Sequence, residues 1–323
     1  MGASPSRNES LSEQVRLGIY FDRDSAGLSN LRLQLESLLA ICKAFGRFLV
    51  LPPPQTIQHL KEPYHESQFW SMSHLSCQVP IVLSSEKQPP DNAFQVKNQL
   101  ASFHLQELPR QKHWFFSKEC SRIQHFETLH LPDNMRDTAI RCVFESFELN
   151  EFHHAAAIRI LKKINLEKYE YVAVHLRRGD FQAFRPQGQK SGEDISRSLE
   201  PYVSGKFVLI ASDASKQDVE IEKLKVLAGA KQTLFLSEIH EDDASLLVKA
   251  AVEMLLCRWS NKFLGTHDST FTNGIFSMRK KDSRTTRKEL DATPLLVLDA
   301  KPTFSCDGVC WNKVTEYHGA PWF

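Results

Sequence analysis

Apolar and polar positions near the amino end follow two periods in turn. Residues 17–21 form a short apolar run, and Phe48-Leu49-Val50-Leu51 forms another that stops at a triple proline. Between the runs, apolar residues recur at intervals of three and four, and Gly46 closes the pattern: Leu28, Leu31, Leu35, Leu38, Cys42 and Phe45. This spacing predicts a strand, an amphipathic crossover helix and a second strand. Such a βαβ unit implies that the two strands are parallel.

The stretch from residue 55 to 150 has a weaker pattern. Residues 79–83 predict a strand, residues 86–92 predict a loop, and the remainder is read as mainly helical. The aromatic run Trp114-Phe115-Phe116 is interpreted as core rather than as a platform for a sugar. Residues 151–164 predict a helix that leads into the second half of the chain.

The second half repeats the strand and helix rhythm. Its predicted strands are residues 171–176, 206–211, 233–236 and 262–265. Predicted helices cover residues 244–258 and 271–278, and a third is expected to begin with Ser212-Asp213 as its cap. Residues 182–198 are polar and predict a long loop. Parallel strands that alternate with helices and end in polar loops predict an α/β fold with two Rossmann-like domains.

Length and charge set the outline of the molecule. With 323 residues, the chain is expected to form two domains at roughly 150 residues per domain. We place a disordered tail at residues 1–14, a first domain at residues 15–155 and a second at residues 156–323. A net charge of +1, from 40 basic and 39 acidic residues, provides no overall field for nucleic acid or an anionic membrane. An anion site must therefore be local.

The chain ends and the cysteines leave alternatives open. No apolar run is long enough for a transmembrane helix, and residues 1–15 lack the apolar centre of a signal peptide. The first six residues match the loose myristoylation pattern, although a disordered tail is the simpler interpretation. Cys306 and Cys310 could form a local disulfide or half of a metal site, and no second pair with matching spacing accompanies them.

Candidate chemistry lies where predicted strands end. After the strand 171–176, Arg177, Arg178 and Gly179 combine two guanidinium groups with a residue that permits close approach to the backbone. Arginine pairs readily with phosphate oxygens, so this segment predicts an anion site. The alternative is a surface turn whose arginines pair with nearby carboxylates.

Two further loops have similar chemistry. Ser269, Thr270 and Phe271 precede a helix, where hydroxyl groups and backbone amides can hold an anion or can simply cap the helix. The turn at residues 26–32 contains Gly27 but lacks the three-glycine dinucleotide fingerprint. Asp22-Arg23-Asp24 matches the DxD pattern of metal-dependent transferases, and we interpret that match as chance.

Together these segments resemble the GDP-fucose protein O-fucosyltransferase superfamily. The family's histidine-leucine-arginine strand end matches His175-Leu176-Arg177, and its first turn, of the form Gly-Gly-Phe-Asn-Asn-Gln, matches residues 26–31. Its Leu-Val-Leu-Pro strand matches residues 49–52. Near the carboxyl end the family has Val-Glu-x-x-x-Cys, then Phe-(Ile/Val/Leu)-Gly, then Ser-(Ser/Thr)-Phe. These match Val252-Glu253 with Cys257, residues 263–265 and residues 269–271.

The resemblance implies a GT-B architecture, with two Rossmann-like domains facing a cleft. The first domain would lie on the acceptor side, and the second would bind the nucleotide sugar. It also implies an inverting, metal-independent transfer of fucose from GDP-fucose to a hydroxyl of a protein or glycan, with no cofactor. Relatives act in the secretory lumen, so the chain would be a trimmed lumenal domain or a soluble intracellular variant.

The resemblance also assigns roles to individual residues. Arg177 would stabilise the diphosphate as it leaves. The residues expected to hold the nucleotide are His175, Arg178, Asp213, Ser269, Thr270 and Phe271. Gly27, Ser29 and Asn30 would approach the donor and the acceptor from the first domain.

At two positions the chain departs from its relatives. Where one branch has a glutamate that could serve as the base, this chain has Ala26, and Asp24 could substitute for it. Where relatives have an aspartate suited to guanine, this chain has Asn261, an uncharged and weaker acceptor. These departures leave two alternatives: a non-catalytic nucleotide-sugar-binding or interaction protein, or a transferase that uses another sugar nucleotide.

Overall fold

A computed structural model of the protein describes most of the chain between residues 17 and 282. The described ranges are 17–23, 27–57, 61–85, 89–96, 105–110, 112–117, 131, 133–179, 191–214, 218–240, 244–266 and 269–282, with the backbone of 305–306 and 309–310. The chain divides into two compact units, and the division falls after Glu148. The boundary expected from the sequence was residue 155, and the predicted tail lies outside the described residues.

The first unit is built on a parallel sheet. Its strands and helices are β1 (Gly18–Phe21), α1 (Leu28–Phe45), β2 (Phe48–Leu51), β3 (Gln55–Thr56), β4 (Pro63–Tyr64), α2 (Glu66–Phe69), α3 (Met72–Gln78), β5 (Ile81–Leu83), β6 (Phe94–Val96), β7 (Trp114–Phe116) and α4 (Asp133–Ser146). Five strands form the sheet in the order β5-β2-β1-β7-β6, and every neighbouring pair is parallel. The parallel βαβ unit predicted from the apolar pattern is therefore confirmed.

Helix α1 shows how the sequence pattern becomes structure. Its leucine stripe is buried, with Leu38 and Leu39 fully inaccessible, and the helix packs against α4. Gly46 ends the helix in the left-handed conformation at φ 63°, and its amide donates to the carbonyl of Cys42. Glycine adopts this conformation without the steric cost that a β-carbon brings. The predicted helix end is therefore confirmed.

The middle of the first unit differs from the mainly helical prediction. Residues 114–116 form β7, which lies between β1 and β6 in the sheet. Trp114 and Phe116 are fully buried while Phe115 is half-exposed, so the run is partly core, as expected, but in a strand. The short aromatic run has no helical repeat, and its pairing with β1 through distant residues decides its conformation.

The second unit has a second parallel sheet. Its elements are α5 (Glu151–Lys163), β8 (Tyr171–Leu176), α6 (Gly192–Val203), β9 (Phe207–Ser212), α7 (Val219–Glu222), β10 (Gln232–Phe235), α8 (Leu236–Ile239), α9 (Leu246–Arg258), β11 (Lys262–Gly265), α10 (Thr270–Asp282), β12 (Ser305–Cys306) and β13 (Val309–Cys310). The sheet order is β10-β9-β8-β11, with all pairs parallel. All six residues of β8 are buried, as is usual when helices cover both faces of a parallel sheet.

Two local predictions in this unit were wrong. Residues 192–198 were expected in a loop but begin α6, where Ile195, Leu199 and Val203 recur at four-residue spacing and are buried. Ser212-Asp213 was expected to cap the next helix. The cap is instead Asp218, whose side chain accepts hydrogen bonds from the amides of Glu220 and Ile221.

Cys42, Cys142 and Cys257 are free thiols inside the two units, as expected for small core residues. Burial raises the pKa of the Cys42 thiol well above its usual value. The alternatives for Cys306 and Cys310 concern side chains outside the described part of the chain. Among the described residues, no helix is both long and apolar enough to cross a membrane.

Candidate functional site

Three strand ends meet at one edge of the second sheet. In register, Gly265 of β11 is opposite His175 of β8, and Leu176 of β8 is opposite Ser212 of β9. The residues that follow these strands therefore leave the sheet side by side. In open α/β sheets this carboxyl edge is where ligands bind.

Hydroxyl groups tie the loops at this edge together. The Thr266 hydroxyl accepts from the Arg177 amide at 2.9 Å and donates to the His175 carbonyl at 3.2 Å. The Ser212 hydroxyl donates to the Leu176 carbonyl at 2.8 Å. These bonds fix the backbone at the point where Arg177 begins, so its guanidinium extends from a rigid base.

Asp213 organises the two arginines. One carboxylate oxygen accepts from Nη1 of Arg177, and the other accepts from the Arg178 amide at 2.6 Å. The side chains of Arg177 and Asp213 are each 30% exposed. A β-carbon on Gly179 would lie 2.5 Å from the Asp213 carboxylate and 3.2 Å from its backbone oxygen, so glycine here allows the chain to pass close to Asp213. Arg177 is thus both anchored and accessible.

Arg178, unlike Arg177, is buried. Its guanidinium is buried and donates from Nε to Asp218 at 3.2 Å. Burial opposes ionisation of Asp218, but the hydrogen bond and charge of Arg178 lower the pKa of its carboxyl. A guanidinium held in this way fastens the loop to the cap of α7. The ion pair with Asp218 indicates a structural role for Arg178, and its contact with phosphate stays a prediction.

His175 is a neutral core residue beneath the edge. Its Nδ1 lies 2.8 Å from the Thr272 hydroxyl, and its ring packs on Phe271 with a centroid distance of 4.8 Å. Burial, with a smaller contribution from the Arg177 charge, lowers the pKa of His175 to about 3. The imidazole therefore stays uncharged at neutral pH, and it positions Phe271 and the start of α10.

We expect His175 to make the folded protein acid-sensitive. The pKa of His175 is about 3 in the folded chain against about 6.5 for an imidazole in the unfolded chain, so the unfolded chain binds an extra proton between these two pH values. Protonation of His175 therefore costs no unfolding free energy above pH 6.5. Below that pH, the unfolding free energy falls by about 1.4 kcal/mol per pH unit as the pH drops towards 3. Between pH 7 and pH 5 the unfolding free energy from urea titrations should fall by about 2 kcal/mol more in wild type than in His175→Gln. Equal decreases in the two proteins would contradict the assignment.

The start of α10 completes the edge. Thr270 is its first residue, and Ser269 accepts from the Thr272 amide at 3.5 Å, a long capping bond. The first amides of a helix lack acceptors within the helix, and their dipoles favour an anion. The structure therefore brings Ser269, Thr270 and Phe271 together with His175 and the backbone of Arg177. Their binding of a nucleotide stays a prediction.

Gly265 allows α10 to approach β11. A β-carbon at this position would lie 2.4 Å from Cγ2 of Thr272 and 2.8 Å from its hydroxyl. Thr272 is only 2% exposed and is bonded to His175, so it has little freedom to move. Gly265→Ala should therefore lower the unfolding free energy by about 1–3 kcal/mol, measured by urea titration. In the control, Gly27→Ser, the added β-carbon meets nothing within 4 Å at an ordinary φ of −65°, so stability should be retained.

The family resemblance placed Gly27, Ser29 and Asn30 of the first unit near the donor and the acceptor, and these residues lie at the start of α1. Gly27 is the residue before the helix, and its carbonyl accepts from the Asn30 amide at 2.9 Å. Ser29 is buried, and Oδ1 of Asn30 is buried without a hydrogen-bond partner among the described residues. Asp24 and Ala26 lie outside the described residues, so the expected base stays a prediction.

Arg23, the middle residue of the DxD match, has a structural role that the sequence did not indicate. Its guanidinium binds both carboxylate oxygens of Glu66, at 2.7 and 2.5 Å. It also donates to the carbonyls of Pro52 and Pro53 at 2.7 and 2.5 Å. The Arg23 side chain is completely buried, and it links the residues that follow β1 to those that follow β2. This inward arginine agrees with the interpretation of the DxD match as chance.

Asn261 lies at the opposite edge of the second sheet. It precedes β11, and its amide donates to the carbonyl of Tyr171, the first residue of β8. Gly265 lies four residues after Asn261 along the extended strand, a distance of about 13 Å. The contact of Asn261 with guanine stays a prediction, and its position at the amino end of β11 argues against it, because ligands bind at the carboxyl edge of such sheets.

Sequence reasoning also missed the residues that hold the site in place. Thr266, Thr272 and Asp218 contact Arg177, His175 and Arg178 respectively. Asp218 could have been found as a capping aspartate before a short helix, whereas the two threonines have no distinguishing sequence signal. In the described part of the chain, no group of three or more His, Cys, Asp or Glu residues is placed to hold a metal ion.

The fold is similar to those of solved fucosyltransferases. POFUT1 in complex with GDP matches with a TM-score of 0.57 and 14% identity, over 84% of this chain and 96% of that chain. POFUT1 in complex with GDP-fucose matches with a TM-score of 0.56 and 14% identity, over 85% and 97%. NodZ α-1,6-fucosyltransferase soaked with GDP-fucose matches with a TM-score of 0.52 and 13% identity, over 81% and 92%. The fold is therefore that of the GT-B glycosyltransferases.

The sequence adds the family. Residues 19–281 match the family model described as GDP-fucose protein O-fucosyltransferase. The chain belongs to this family and is a glycosyltransferase, which confirms the resemblance inferred from its motifs. No curated protein matches the chain in sequence.

Proposed function

We propose that the protein transfers fucose from GDP-fucose to a hydroxyl of a protein or glycan, with inversion at the anomeric carbon and without a metal ion. The observation that carries the proposal is the accessible Arg177 guanidinium at the carboxyl edge of the second sheet, beside the start of α10. Membership of the family and the GDP and GDP-fucose complexes of the similar structures support this donor.

Arg177 has the chemistry that the reaction needs. When the bond from fucose to diphosphate breaks, negative charge grows on the bridging oxygen. A guanidinium already held in place stabilises that charge without reorganising at the moment of reaction. Asp213 binds Nη1 of Arg177, and a guanidinium has five N–H donors whose fork suits phosphate oxygens.

The start of α10 would hold the nucleotide. Its amides and the hydroxyl groups of Ser269 and Thr270 suit phosphate oxygens. Phe271, supported from below by His175, offers an aromatic face for stacking. In this proposal His175, Asp213 and Arg178 position these groups rather than bind the donor themselves.

The first unit would serve the acceptor. The buried Oδ1 of Asn30 is an acceptor for a hydroxyl proton, although a neutral amide cannot take the proton away. Asp24 is proposed as the base, because a carboxylate within hydrogen-bond reach could remove that proton. Gly27 and Ser29 shape the same turn. The family resemblance favours the lumen of the secretory pathway as the place of action.

A donor panel tests the proposal. The purified chain is incubated in EDTA with GDP-fucose, GDP-mannose, UDP-glucose and UDP-GlcNAc, and thermal shift and nucleotide release are measured. GDP should stabilise the chain, and GDP should be released from GDP-fucose faster than nucleotide from the other donors. Once an acceptor is found, NMR of the product should show an α-fucoside, because GDP-fucose carries the sugar in the β configuration and the proposed transfer inverts it. A β-fucoside would contradict inversion.

Failure has distinct meanings in this experiment. No stabilisation by any nucleotide would overturn the proposed donor site. Preferred release from a UDP-sugar would replace GDP-fucose as the donor. Activity that is lost in EDTA and restored by Mn²⁺ would contradict the metal-independent mechanism.

A further inference from the structure

A cavity in the first unit lies outside the residues discussed so far. It has a volume of about 380 Å³ and is lined by Asp22, Pro89, Pro90, Asp91, Gln95 and Phe115 among others. Cavities that bind small ligands have volumes of roughly 300–1,000 Å³. This one therefore has room for one or two sugar rings.

One side of the cavity is formed by the aromatic side chain of Phe115 on the sheet. Phe115 is paired in register with Gln95 of β6, so the two side chains project from the same face. Trp114 and Phe116 point to the other face and are fully buried. The half-exposed Phe115 ring and the neighbouring prolines thus present flat apolar surface beside polar groups.

The wall is held by backbone hydrogen bonds. The Asp22 amide donates to the Phe116 carbonyl at 3.0 Å, and Gln34 donates to the Asp22 carbonyl at 2.8 Å. On the other side, the Pro90 carbonyl accepts from the Ala93 amide at 2.8 Å and closes a turn. The exposed carboxylates of Asp22 and Asp91 therefore extend from fixed segments.

The charged groups that line the cavity indicate which class of ligand it binds. Its described residues include two carboxylates and an amide but no cationic side chain. A diphosphate would be repelled, which separates this cavity from the arginine-bearing site. Carboxylates accept hydrogen bonds from hydroxyl groups, and an aromatic face suits the C–H surface of a pyranose.

We infer that this cavity binds a neutral saccharide and is an acceptor subsite of the first unit. The inference rests on the proposed function, because a sugar here would be the acceptor of the fucosyl group. Asp22 directly follows β1 and lies on the connection that leads to Gly27 and Asn30. Because the bound saccharide would belong to the acceptor, the acceptor is a glycan or a glycan-bearing protein and not a bare polypeptide.

Saturation-transfer NMR with the full chain tests the inference. The probes are chitotetraose, cellotetraose and β-1,4-galactotetraose, each with and without GDP. At least one should give a transfer signal in wild type that is reduced at least fivefold in Phe115→Leu and in Asp22→Asn. Gln95→Ala changes an exposed residue, and it should also weaken the signal without affecting the fold.

Matched controls separate this cavity from the donor site. Phe152→Ala removes an exposed aromatic residue of the second unit, and Arg177→Ala removes the donor-site guanidinium; both should keep the signal. A signal that all cavity variants keep, or no signal from any probe, would overturn the inference. Displacement of the sugar by millimolar spermidine or Mg²⁺ would instead assign the cavity to cations and overturn it.

The donor experiment distinguishes the two proposals. If GDP binds and a saccharide does not, only the acceptor inference fails. If a saccharide binds through Phe115 but no nucleotide binds, the saccharide site stands and its role as an acceptor subsite fails together with the proposed transfer.

Discussion

Replacing Arg177 with alanine should reduce kcat for fucosyl transfer by about 10²–10³, equivalent to about 3–4 kcal/mol of barrier. Charge develops on the leaving diphosphate in the transition state, so loss of the guanidinium affects kcat more than binding of the donor. Initial rates of GDP release, with GDP affinity measured by calorimetry, separate these two effects. Arg177→Lys should recover only part of the rate, because an ammonium lacks the planar fork.

The control for Arg177 is Arg197→Ala. Arg197 lies on α6 with a side chain that is 77% exposed, and its partner Asp194 is only 3.4 Å away on the same helix. Removing it changes the net charge equally but should leave kcat and the melting temperature unchanged. Equal activity losses in the two variants would show a general charge effect and would contradict the assigned role of Arg177.

Replacing Arg23 with methionine should lower the unfolding free energy by about 3–5 kcal/mol. The substitution leaves the Glu66 carboxylate buried without its partner, and the Pro52 and Pro53 carbonyls lose their donor. Urea titration followed by circular dichroism measures the change. A decrease below 1 kcal/mol would contradict the view that this cluster joins the ends of β1 and β2.

A double substitution separates the ion pair from the packing. Replacing Arg23 with methionine and Glu66 with leucine removes both charges while keeping apolar volume. Desolvation of an unpaired charge is then absent, so the double variant should be more stable than Arg23→Met alone. The opposite result is a double variant that loses as much unfolding free energy as Arg23→Met and Glu66→Leu lose together. That result would place the contribution of Arg23 in packing and in its bonds to the proline carbonyls rather than in the ion pair.

The two arginines show what an arginine pair in the sequence leaves undecided. Arg177 and Arg178 are adjacent, and both suit phosphate by residue type. Asp213 holds one at the edge with its guanidinium accessible, while Asp218 binds the other in a buried pair. The sequence motif cannot distinguish the two arginines, because their partners lie more than thirty residues away and only the fold brings them close.

The elements predicted well were those with a local cause. The leucine stripe and Gly46 determine α1, and residues 151–164 were predicted as the helix observed at Glu151–Lys163. Residues 192–198 were not predicted as the start of a helix, because the apolar residues Ile195, Leu199 and Val203 are widely spaced among polar ones. Residues 114–116 were missed because pairing with β1 and β6, rather than local preference, makes them a strand.

Periodicity and the order of short motifs were enough to predict the parallel α/β organisation and the family. They also singled out the segments that contain Gly27, Arg177 and Ser269, because they are local properties of the chain. The folded structure was needed to show which arginine is accessible, that His175 is a neutral support and that Asn261 lies at the opposite edge. Burial, strand direction and long-range partners set those roles, and each depends on residues that are distant in sequence.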